Sequence, residues 1–268
     1  MSTRKNRSLN AWNWYNYCKS VYSEYIEKSV ESSRIINDEI DENIIREAKD
    51  IIYQNKEISL LSENIKVLPT DTVTALFSSE SDNICVLNFA SYKNPGGKFL
   101  QGSMAQEEYL CHHSILYNVL CHFNNEYYKE NLKSLNYGMY SNRLIYSKDI
   151  LFVDGFNVKF ADVITCAAPN KLVLDFNNYE NDYLNMLDEE FNDAMLERIY
   201  GILKAASDMN KDTIILGAFG CGVFKNNPVF VSNAFKAIIY SGFRNKFKEI
   251  IFAIIQNNFD EFYDCFNK

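Results

Sequence analysis

The chain has 268 residues, of which 47% are hydrophobic and 15% aromatic, with only 10 glycines and 4 prolines. This composition excludes a disordered or fibrous protein, and the length allows one large α/β domain with a sizeable core. The formal net charge of −8 disfavours sequence-specific nucleic-acid binding and contact with anionic membranes, so an anionic ligand must be held locally by backbone amides or a helix N-terminus.

The sequence lacks the patterns of a membrane-spanning helix and of an exported leader. Its longest uninterrupted apolar run, residues 250–255, is far shorter than the roughly 20 residues that a spanning helix needs, and residues 1–10 are polar and basic. The seven cysteines include no CxxC pair and no repeated short spacing. We therefore expect a soluble, cytoplasmic protein with reduced thiols, no metal site and no cofactor.

The first part of the chain has the apolar spacing of helices. Over residues 9–56, apolar side chains such as Trp14, Tyr17 and Val21 recur at helical intervals, and no strand pattern interrupts them. The character of the sequence changes near residues 62–64. We therefore divide the chain into an N-terminal helical segment, residues 1–60, and an α/β domain, residues 61–268.

Short apolar runs alternate with amphipathic helical stretches after this boundary. The predicted strands are 65–68, 84–90, 143–146, 150–153, 161–167, 213–218 and 249–255, and the predicted helices are 72–78, 105–123, 187–209, 229–243 and 259–266. Helical crossovers between strands indicate a three-layer α/β/α domain with a mixed, mainly parallel sheet. Residues 170–185 are polar and are interpreted as a surface insertion.

Two strand-to-helix junctions have unusual chemistry. The first follows strand 84–90 and contains Asn94-Pro95-Gly96-Gly97-Lys98, then the helix start Gln106-Glu107-Glu108. Adjacent glycines let a backbone approach a ligand and leave amide groups free for its oxygens, although a flexible turn would also use them. Acidic residues in a first helical turn are also expected simply because they complement the helix dipole. The combination after a buried strand is what favours a site.

This first junction resembles the signature of microbial-type poly(ADP-ribose) glycohydrolases, three glycines and, six to eight residues later, Gln-Glu-Glu. The resemblance implies a macrodomain-like fold that binds ADP-ribose. It also implies that Glu108 is the general acid, that Glu107 binds ribose hydroxyls, that Gln106 supports them, and that Asn94 contacts the distal ribose. The glycine loop, Gly96 and Gly97, would support the ribose and diphosphate.

Electrostatics is compatible with these implied roles. Two carboxylates about 5 Å apart at an effective dielectric constant near 20 repel by roughly 3 kcal/mol, or about two pKa units. One of them would then stay protonated near neutral pH. A protonated Glu108 could donate to the leaving oxygen and then activate water.

The second junction follows strand 213–218 and leads into helix 229–243. It contains three glycines in six residues, Gly217-Ala218-Phe219-Gly220-Cys221-Gly222, followed by Val223 and Phe224. Glycines at a helix entrance can cradle a diphosphate, but a tight structural turn would use the same residues. By its resemblance to the same family, Gly220, Cys221, Gly222 and Val223 lend amides to the diphosphate and Phe224 packs on the distal ribose. Cys221 as a nucleophile is the disfavoured alternative, since no histidine stands in a recognisable partner motif.

Other candidates have simpler structural explanations. Asp71, between a strand and a helix, is interpreted first as an N-cap and second, by the family resemblance, as an acid that faces adenine. The cysteines and histidines of residues 111–122 lie on one predicted helix with spacings wrong for a closed zinc site.

Lys98 departs from the family pattern because it stands where a third glycine is expected. If that position needs a positive φ, a lysine costs roughly 1 to 2 kcal/mol. Two functions therefore remain: a glycohydrolase that acts on poly(ADP-ribose) or on singly modified targets, and a reader that binds ADP-ribose without cleaving it. The two glutamates favour the enzyme, Lys98 keeps the reader possible, and the oligomeric state stays open.

Overall fold

The structure, a computed structural model, describes residues 3–37, 39–56, 58, 64–172, 181–255 and 257–267. In chain order its elements are α1 (Arg4–Val21), α2 (Ser23–Ser32), β1 (Arg34–Ile36), α3 (Glu42–Tyr53), β2 (Ile65–Leu68), α4 (Thr72–Ser78), β3 (Ile84–Phe89), α5 (Gln106–His112), α6 (Leu116–Leu120), α7 (Lys129–Lys133), β4 (Leu144–Asp154), β5 (Asn157–Cys166), α8 (Asn181–Asp208), β6 (Thr213–Leu216), α9 (Pro228–Ile238), β7 (Glu249–Ala253) and α10 (Phe259–Asn267). Short 3₁₀ turns lie at Phe99–Gln101, Cys121–Phe123 and Asn136–Gly138, and π-helical turns at Asn124–Tyr128 and Ile239–Phe243.

Seven strands form one mixed sheet in the order β1-β4-β5-β3-β6-β7-β2. The pairs on either side of β4 are antiparallel, and the four remaining pairs are parallel. The central strand β3 is buried along its length apart from half-buried Phe89, because Ile, Cys, Val and Leu fill both of its faces. A strand that is apolar on both faces needs a helical layer on each side.

Those two layers pack as separate hydrophobic clusters. One face of the sheet packs against α3, α8, α9 and α10, which contribute buried side chains such as Ile45, Leu196, Phe235 and Phe262. The opposite face packs against α1, α2, α4, α5 and α6, with Ala11, Ile26, Leu76, Leu110 and Val119 in the interior. The predicted α/β fold with a mainly parallel mixed sheet is confirmed.

The expectation that residues 9–56 contain no strand was wrong. Arg34–Ile36 form β1, which pairs with β4 through Ile35 and Ile145 at the edge of the sheet. Three residues are too few to give a local strand pattern, and the partner lies 110 residues away, so tertiary pairing decides their conformation. The boundary near residue 60 falls among residues 59–63, outside the described residues, and the two-segment division stays a prediction.

The single predicted helix 105–123 is also corrected, since α5 and α6 are separated by His113–Ile115. Here the backbone pairs with β4 instead of continuing the helix. Val153 N donates to His113 O at 2.7 Å, and Ile115 N donates to Leu151 O at 3.1 Å. Strand candidates 143–146 and 150–153 are one strand, β4, with an irregularity between Ser147 and Ile150. The polar insertion lies partly outside the described residues, at 173–180, and α8 already begins at Asn181.

No helix among the described residues combines the length and the apolar character needed to cross a bilayer.

Candidate functional site

The two glycine-containing junctions lie side by side at the carboxyl ends of neighbouring strands. Strands β3 and β6 pair in parallel, so the loops that follow them leave the same edge of the sheet. Aromatic contacts join the loops: the rings of Phe89 and Phe219 are 5.9 Å apart, and those of Tyr92 and Phe224 are 6.4 Å apart. The two junctions therefore meet at one edge of the sheet.

The first glycine loop brings two carboxyl groups against its backbone. Gly96 and Gly97 both have φ of +60°, a conformation that glycine adopts at little cost. A Cβ atom on Gly97 would lie 2.5 Å from Glu108 Oε1 and 3.0 Å from Glu107 Oε2. Gly97 is thus required both by its φ and by the space that the acid pair occupies.

Backbone amides hold both glutamates, which are almost fully buried at 3% and 6% exposure. Ser91 N donates to Glu107 Oε2 at 2.7 Å, and Lys98 N donates to Glu108 Oε1 at 2.8 Å. Asn88 Nδ2 donates to Glu107 Oε1 at 3.4 Å. Both Glu107 oxygens are therefore occupied, whereas in the described part of the chain Glu108 Oε2 has no hydrogen-bond donor.

The pKa of Glu107 is raised from 4.5 to about 8. Burial is the largest cause, the Ser91 amide opposes it, and the charge of the neighbouring Glu108 adds to it. From the sequence, the retained proton is attributed to repulsion between the two carboxylates and is assigned to Glu108. In the structure the raised pKa belongs to Glu107, and desolvation is its largest cause. The site can therefore keep a proton at neutral pH.

Gln106 fixes the start of α5 against the central strand. Its Oε1 accepts from Phe89 N at 2.9 Å, and its Nε2 donates to Leu87 O at 2.7 Å and to Thr72 Oγ1 at 3.3 Å. The side-chain amide is occupied on both ends by protein groups. Gln106 therefore anchors the start of α5 to β3 and α4, and its supporting role toward the acid pair stays a prediction.

Asn88 is a site residue to which the sequence analysis assigns no role. It is completely buried in β3, and its Nδ2 bridges Glu107 Oε1 and Thr165 Oγ1, the latter at 3.1 Å. The signal that could have identified it is a polar residue within an otherwise apolar buried strand. Such a residue needs hydrogen-bond partners, and here one of them is the acid pair.

The second loop is locked at its base by Asn226. Gly220 has φ of +74°, and a Cβ atom there would lie 2.6 Å from both Ala168 Cβ and Asn226 Nδ2. The buried Asn226 side chain donates to Pro169 O at 2.7 Å and to Gly220 O at 3.0 Å. These bonds tie the loop to the exit of β5, a role that the sequence does not single out among its many asparagines.

The outer part of the second loop is open. No heavy atom lies within 4 Å of a Cβ built on Gly222, and Val223 is 69% exposed. Phe224 is half-buried beside Tyr92. Burial raises the pKa of the Cys221 thiol to about 12, which is unsuitable for a nucleophile. The loop can therefore present amides to a ligand, and the nucleophile alternative for Cys221 loses support.

A stacked tyrosine pair borders the site and was not predicted. Tyr92 and Tyr140 stack with ring centroids 4.4 Å apart and planes 14° apart. Tyr140 has φ of +56°, which is uncommon for a bulky residue and costs conformational energy. The pair extends the aromatic surface that begins at Phe224.

Lys98 and Asn94 lie on the exposed side of the first loop. Lys98 has φ of −110°, so the strain expected for a positive φ at this position does not arise. Asn94 O accepts from Gly97 N at 3.0 Å, which closes the turn, and its side chain is on the exposed surface. The substitution of the third glycine is therefore compatible with the loop geometry.

Asp71 is confirmed as the N-cap of α4. Its Oδ1 accepts from Thr74 N at 2.9 Å, and its Oδ2 accepts from Thr74 Oγ1 at 2.7 Å. The second interpretation, an acid that faces adenine, stays a prediction. The cysteines and histidines of residues 111–122 do not share one helix, because they are divided between α5, its C-cap His113 and the 3₁₀ turn Cys121–Phe123.

Comparisons with known proteins agree with this geometry. A family model for the "Microbial-type PARG, catalytic domain" matches residues 19–154, which include the first glycine loop and the acid pair. No curated protein matches the sequence. The structure of poly(ADP-ribose) glycohydrolase (PARG) from Thermomonospora curvata bound to the inhibitor ADP-HPD is 23% identical, with a TM-score of 0.76 over 97% of this chain and 99% of that chain.

A second solved structure extends the comparison. Poly(ADP-ribose) glycohydrolase from Deinococcus radiodurans in complex with ADP-ribose is 26% identical, with a TM-score of 0.73 over 89% of this chain and 96% of that chain. The family match alone spans just over half of the chain. The resemblance noted in the sequence is thereby confirmed, and the chain belongs to the family of microbial-type PARG catalytic domains, which are glycohydrolases.

Proposed function

We propose that this glycohydrolase cleaves the ribosyl glycosidic bond of poly(ADP-ribose) and releases ADP-ribose, with Glu108 as its general acid and base. The observation that carries the proposal is the acid pair at Gly97. Two buried carboxyl groups lie within about 3 Å of one glycine position, and the Glu108 carboxyl is fixed through Oε1 by the Lys98 amide. Glu108 Oε2 is then available to a ligand.

The ADP-ribose unit would bind across the two loops. The glycine loop at Gly96 and Gly97 supports the ribose whose anomeric bond is cut, with Asn94 at its edge. The open amides of Gly222 and Val223, with Gly220 and Cys221 below them, suit a diphosphate, because backbone N–H groups attract anions. The half-buried Phe224 offers an apolar surface to the ribose.

The chemistry needs one proton in the acid pair. Glu108 donates it to the leaving oxygen as the bond from that oxygen to the ribose C1 breaks, which leaves an oxocarbenium-like ribose and a Glu108 carboxylate. A water molecule then attacks C1 and gives its proton to that carboxylate. Glu108 returns to its starting form, and the products are ADP-ribose and a free hydroxyl on the acceptor.

Glu107 would orient the ribose and store the proton. Both of its oxygens are held by N–H donors, and its raised pKa near 8 means that the pair retains a proton at neutral pH. The proposed reaction uses this proton at Glu108, the neighbouring carboxyl group at Gly97. Gln106 and Asn88 keep Glu107 in place.

The remaining alternatives concern the substrate and the reader hypothesis. Singly ADP-ribosylated proteins are also linked through C1 of the ribose, to a side-chain oxygen or nitrogen, so they are a second substrate class for the same site. A non-catalytic reader is disfavoured because Lys98 adopts a negative φ and leaves the acid pair intact. We further infer that residues 1–60 are an accessory segment, since Arg7 Nε of α1 donates to Gly102 O next to the glycine loop.

The test compares wild-type protein with Glu108→Gln. The proteins are incubated with poly(ADP-ribose) and with glutamate-, serine- and arginine-linked mono-ADP-ribosylated protein, and free ADP-ribose is measured. We expect release by the wild type and a loss of about 10² to 10⁴ in kcat for the variant, the usual contribution of a general acid. ADP-ribose should raise the melting temperature of both proteins.

Two outcomes would contradict the proposal. Tight binding by the wild type with no release from any substrate would favour the reader. If millimolar ADP-ribose leaves the melting temperature of both proteins unchanged, neither function holds. As a control for folding, the melting temperatures of the two proteins without ligand should agree, because glutamine keeps the size of the side chain.

A further inference from the structure

A cavity beside the glycine loop shares Asn94 and Gly97 with the proposed ribose site and extends from them toward α1. Its volume is about 410 Å³. Residues from α1, the glycine loop and α6 line it, among them Arg4, Asn94, Gly97, Lys98, Gln101 and Tyr117. The described residues of the second loop, 217–228, contribute nothing to this lining, so the cavity is separate from the expected diphosphate site.

The cavity connects directly to the acid pair. Gly97 belongs to its lining and also touches both carboxyl groups, and the backbone amide of Lys98 holds Glu108 Oε1. A substrate whose scissile bond lies at Glu108, and whose released unit of ADP-ribose lies toward the second loop, would direct its remaining part away from that loop. The cavity has no described residue of the second loop in its lining, so it is available to that remaining part.

Two cations face this space. The Arg4 Nε donates to Gln101 O at 3.1 Å, which fixes the side chain at the rim and leaves the terminal nitrogens of its guanidinium available. Lys98 is exposed. Among the residues that the structure describes, neither cation forms an ion pair with a carboxylate. Both charges can therefore be used by a ligand.

Arg4 and Lys98 form a local positive region in a chain whose formal net charge is −8. The overall field repels a polyanion, so an anionic substrate gains affinity only where positive groups are concentrated. A guanidinium binds phosphate through parallel N–H donors, and an ammonium adds a point charge. The chemical group that fits both is a phosphate ester or diphosphate.

We propose that this cavity, the acceptor-side cavity, binds the diphosphate of the ADP-ribose unit that follows the scissile bond, and that Arg4 and Lys98 thereby make the enzyme favour poly(ADP-ribose) over singly modified proteins. This inference rests on the proposed function. It assigns a specificity role to a residue of the N-terminal helical segment and to the lysine that replaces the third glycine.

The experiment measures kcat/KM on poly(ADP-ribose) and on mono-ADP-ribosylated protein. Arg4→Gln and Lys98→Gln should each lower the value on the polymer by about tenfold, the usual worth of a hydrogen bond to a charged group. Arg4→Gln should leave the value on the singly modified protein within about twofold. Arg4→Lys keeps the charge and should restore most of the activity on the polymer.

Lys5→Gln is the matched control, because Lys5 is an exposed cation next to Arg4 in α1 that does not line the cavity. It should change neither value. If Arg4→Gln lowers kcat/KM equally on both substrates, Arg4 has a structural role. If it does not lower kcat/KM on the polymer, Arg4 has no role in binding it. Either result overturns the inference while leaving the proposed function intact.

A binding measurement separates the two proposals. Calorimetry with Glu108→Gln protein compares ADP-ribose with its dimer, the shortest polymer. We expect the dimer to bind about tenfold more tightly, and Arg4→Gln in the same background to abolish the difference. Equal affinities would overturn the inference. Failure of the wild type to cleave any substrate would overturn the proposed function, whatever the dimer does.

Discussion

The two glycine loops occupy corresponding places at the ends of adjacent strands, but their surroundings differ. In the first loop, the Gly97 position is filled to within 3 Å by two buried carboxyl groups. In the second, Gly217 and Gly220 at the base are crowded, whereas Gly222 faces open space and Val223 is exposed. The first loop is a packed structure completed before substrate arrives, and the second is a rim that substrate must complete.

Under the proposed function, this difference follows from what each loop would hold. An acid that transfers a proton must stand in one place, and the backbone amide of Lys98 holds Glu108 there. A diphosphate brings its own charge and needs only free N–H donors on an accessible backbone. Substitutions in the first loop should therefore affect turnover strongly, and those at the outer second loop should have little effect on either folding or turnover.

The largest effect is expected for Gly97→Ala. The added Cβ would displace the Glu108 carboxyl from its place against the Lys98 amide, in addition to the strain of a positive φ. We expect kcat to fall by about 10³, equivalent to about 4 kcal/mol. The measurement is ADP-ribose release, with the melting temperature recorded in parallel.

Gly155→Ala is the matched control for this variant. Gly155 has the same φ of +60°, but a Cβ there meets nothing within 4 Å. It should lose about 1 kcal/mol of stability and keep its activity. If both variants lose activity equally, the contact with the acid pair is not the reason.

The second prediction concerns the pH dependence of stability through Glu107. Its folded pKa near 8 lies above the usual 4.5, so the folded state binds more protons than the unfolded state between these values. Stability from this group is complete below about pH 4.5 and is lost as the pH rises through 8. Glu107→Gln removes that dependence.

Chemical denaturation at pH 6 and pH 8 measures the effect. Relative to Glu107→Gln, the wild type should lose about 2 to 3 kcal/mol of unfolding free energy between the two values, since each unit is worth at most about 1.4 kcal/mol. A parallel pH dependence in both proteins would show that another group is responsible. Glu130→Gln, a change on the exposed surface, should leave the wild-type pH dependence between these values unaltered.

How far the sequence predicts this molecule depends on the range of the interactions. The strands β2, β3 and β7 follow from local apolar runs, and the acid pair follows from glycines and glutamates at short spacing. The strand β1 and the interruption of the predicted helix 105–123 at Ser114 do not follow from local pattern, because both depend on pairing with β4. Local pattern is informative only where the neighbours in sequence are also the neighbours in space.

The site shows the same limit at single residues. Gly97 is recognisable in the sequence because it is one of two adjacent glycines. Asn88 and Asn226 have roles that only their burial reveals. The proton is a further case: repulsion between Glu107 and Glu108 can be anticipated from their adjacency. The desolvation that dominates the pKa of Glu107 needs the three-dimensional packing.

The third prediction tests the base of the second loop through Asn226→Ala. This change removes the donor that joins Pro169 O and Gly220 O, and leaves two backbone acceptors without that partner. We expect a loss of about 2 kcal/mol of stability and a melting temperature lower by several degrees. Thermal unfolding measures it, and ADP-ribose affinity should fall as the loop loosens. The exposed Asn233→Ala should lose under about 0.5 kcal/mol.

The smallest effect is expected for Gly222→Ala, and it decides whether the two loops really differ. A Cβ there meets no atom, and the substitution leaves the backbone N–H in place. The unfolding free energy should change by less than about 0.5 kcal/mol. The value of kcat should stay within about twofold of the wild-type value. A methyl group that changes the activation free energy by less than about 0.4 kcal/mol changes the rate by no more than this factor. A loss comparable to that of Gly97→Ala would mean that the second loop also closes tightly around the reacting ribose. The contrast between a packed acid corner and an open rim would then be wrong, because the free enzyme would differ from the complex at this open glycine.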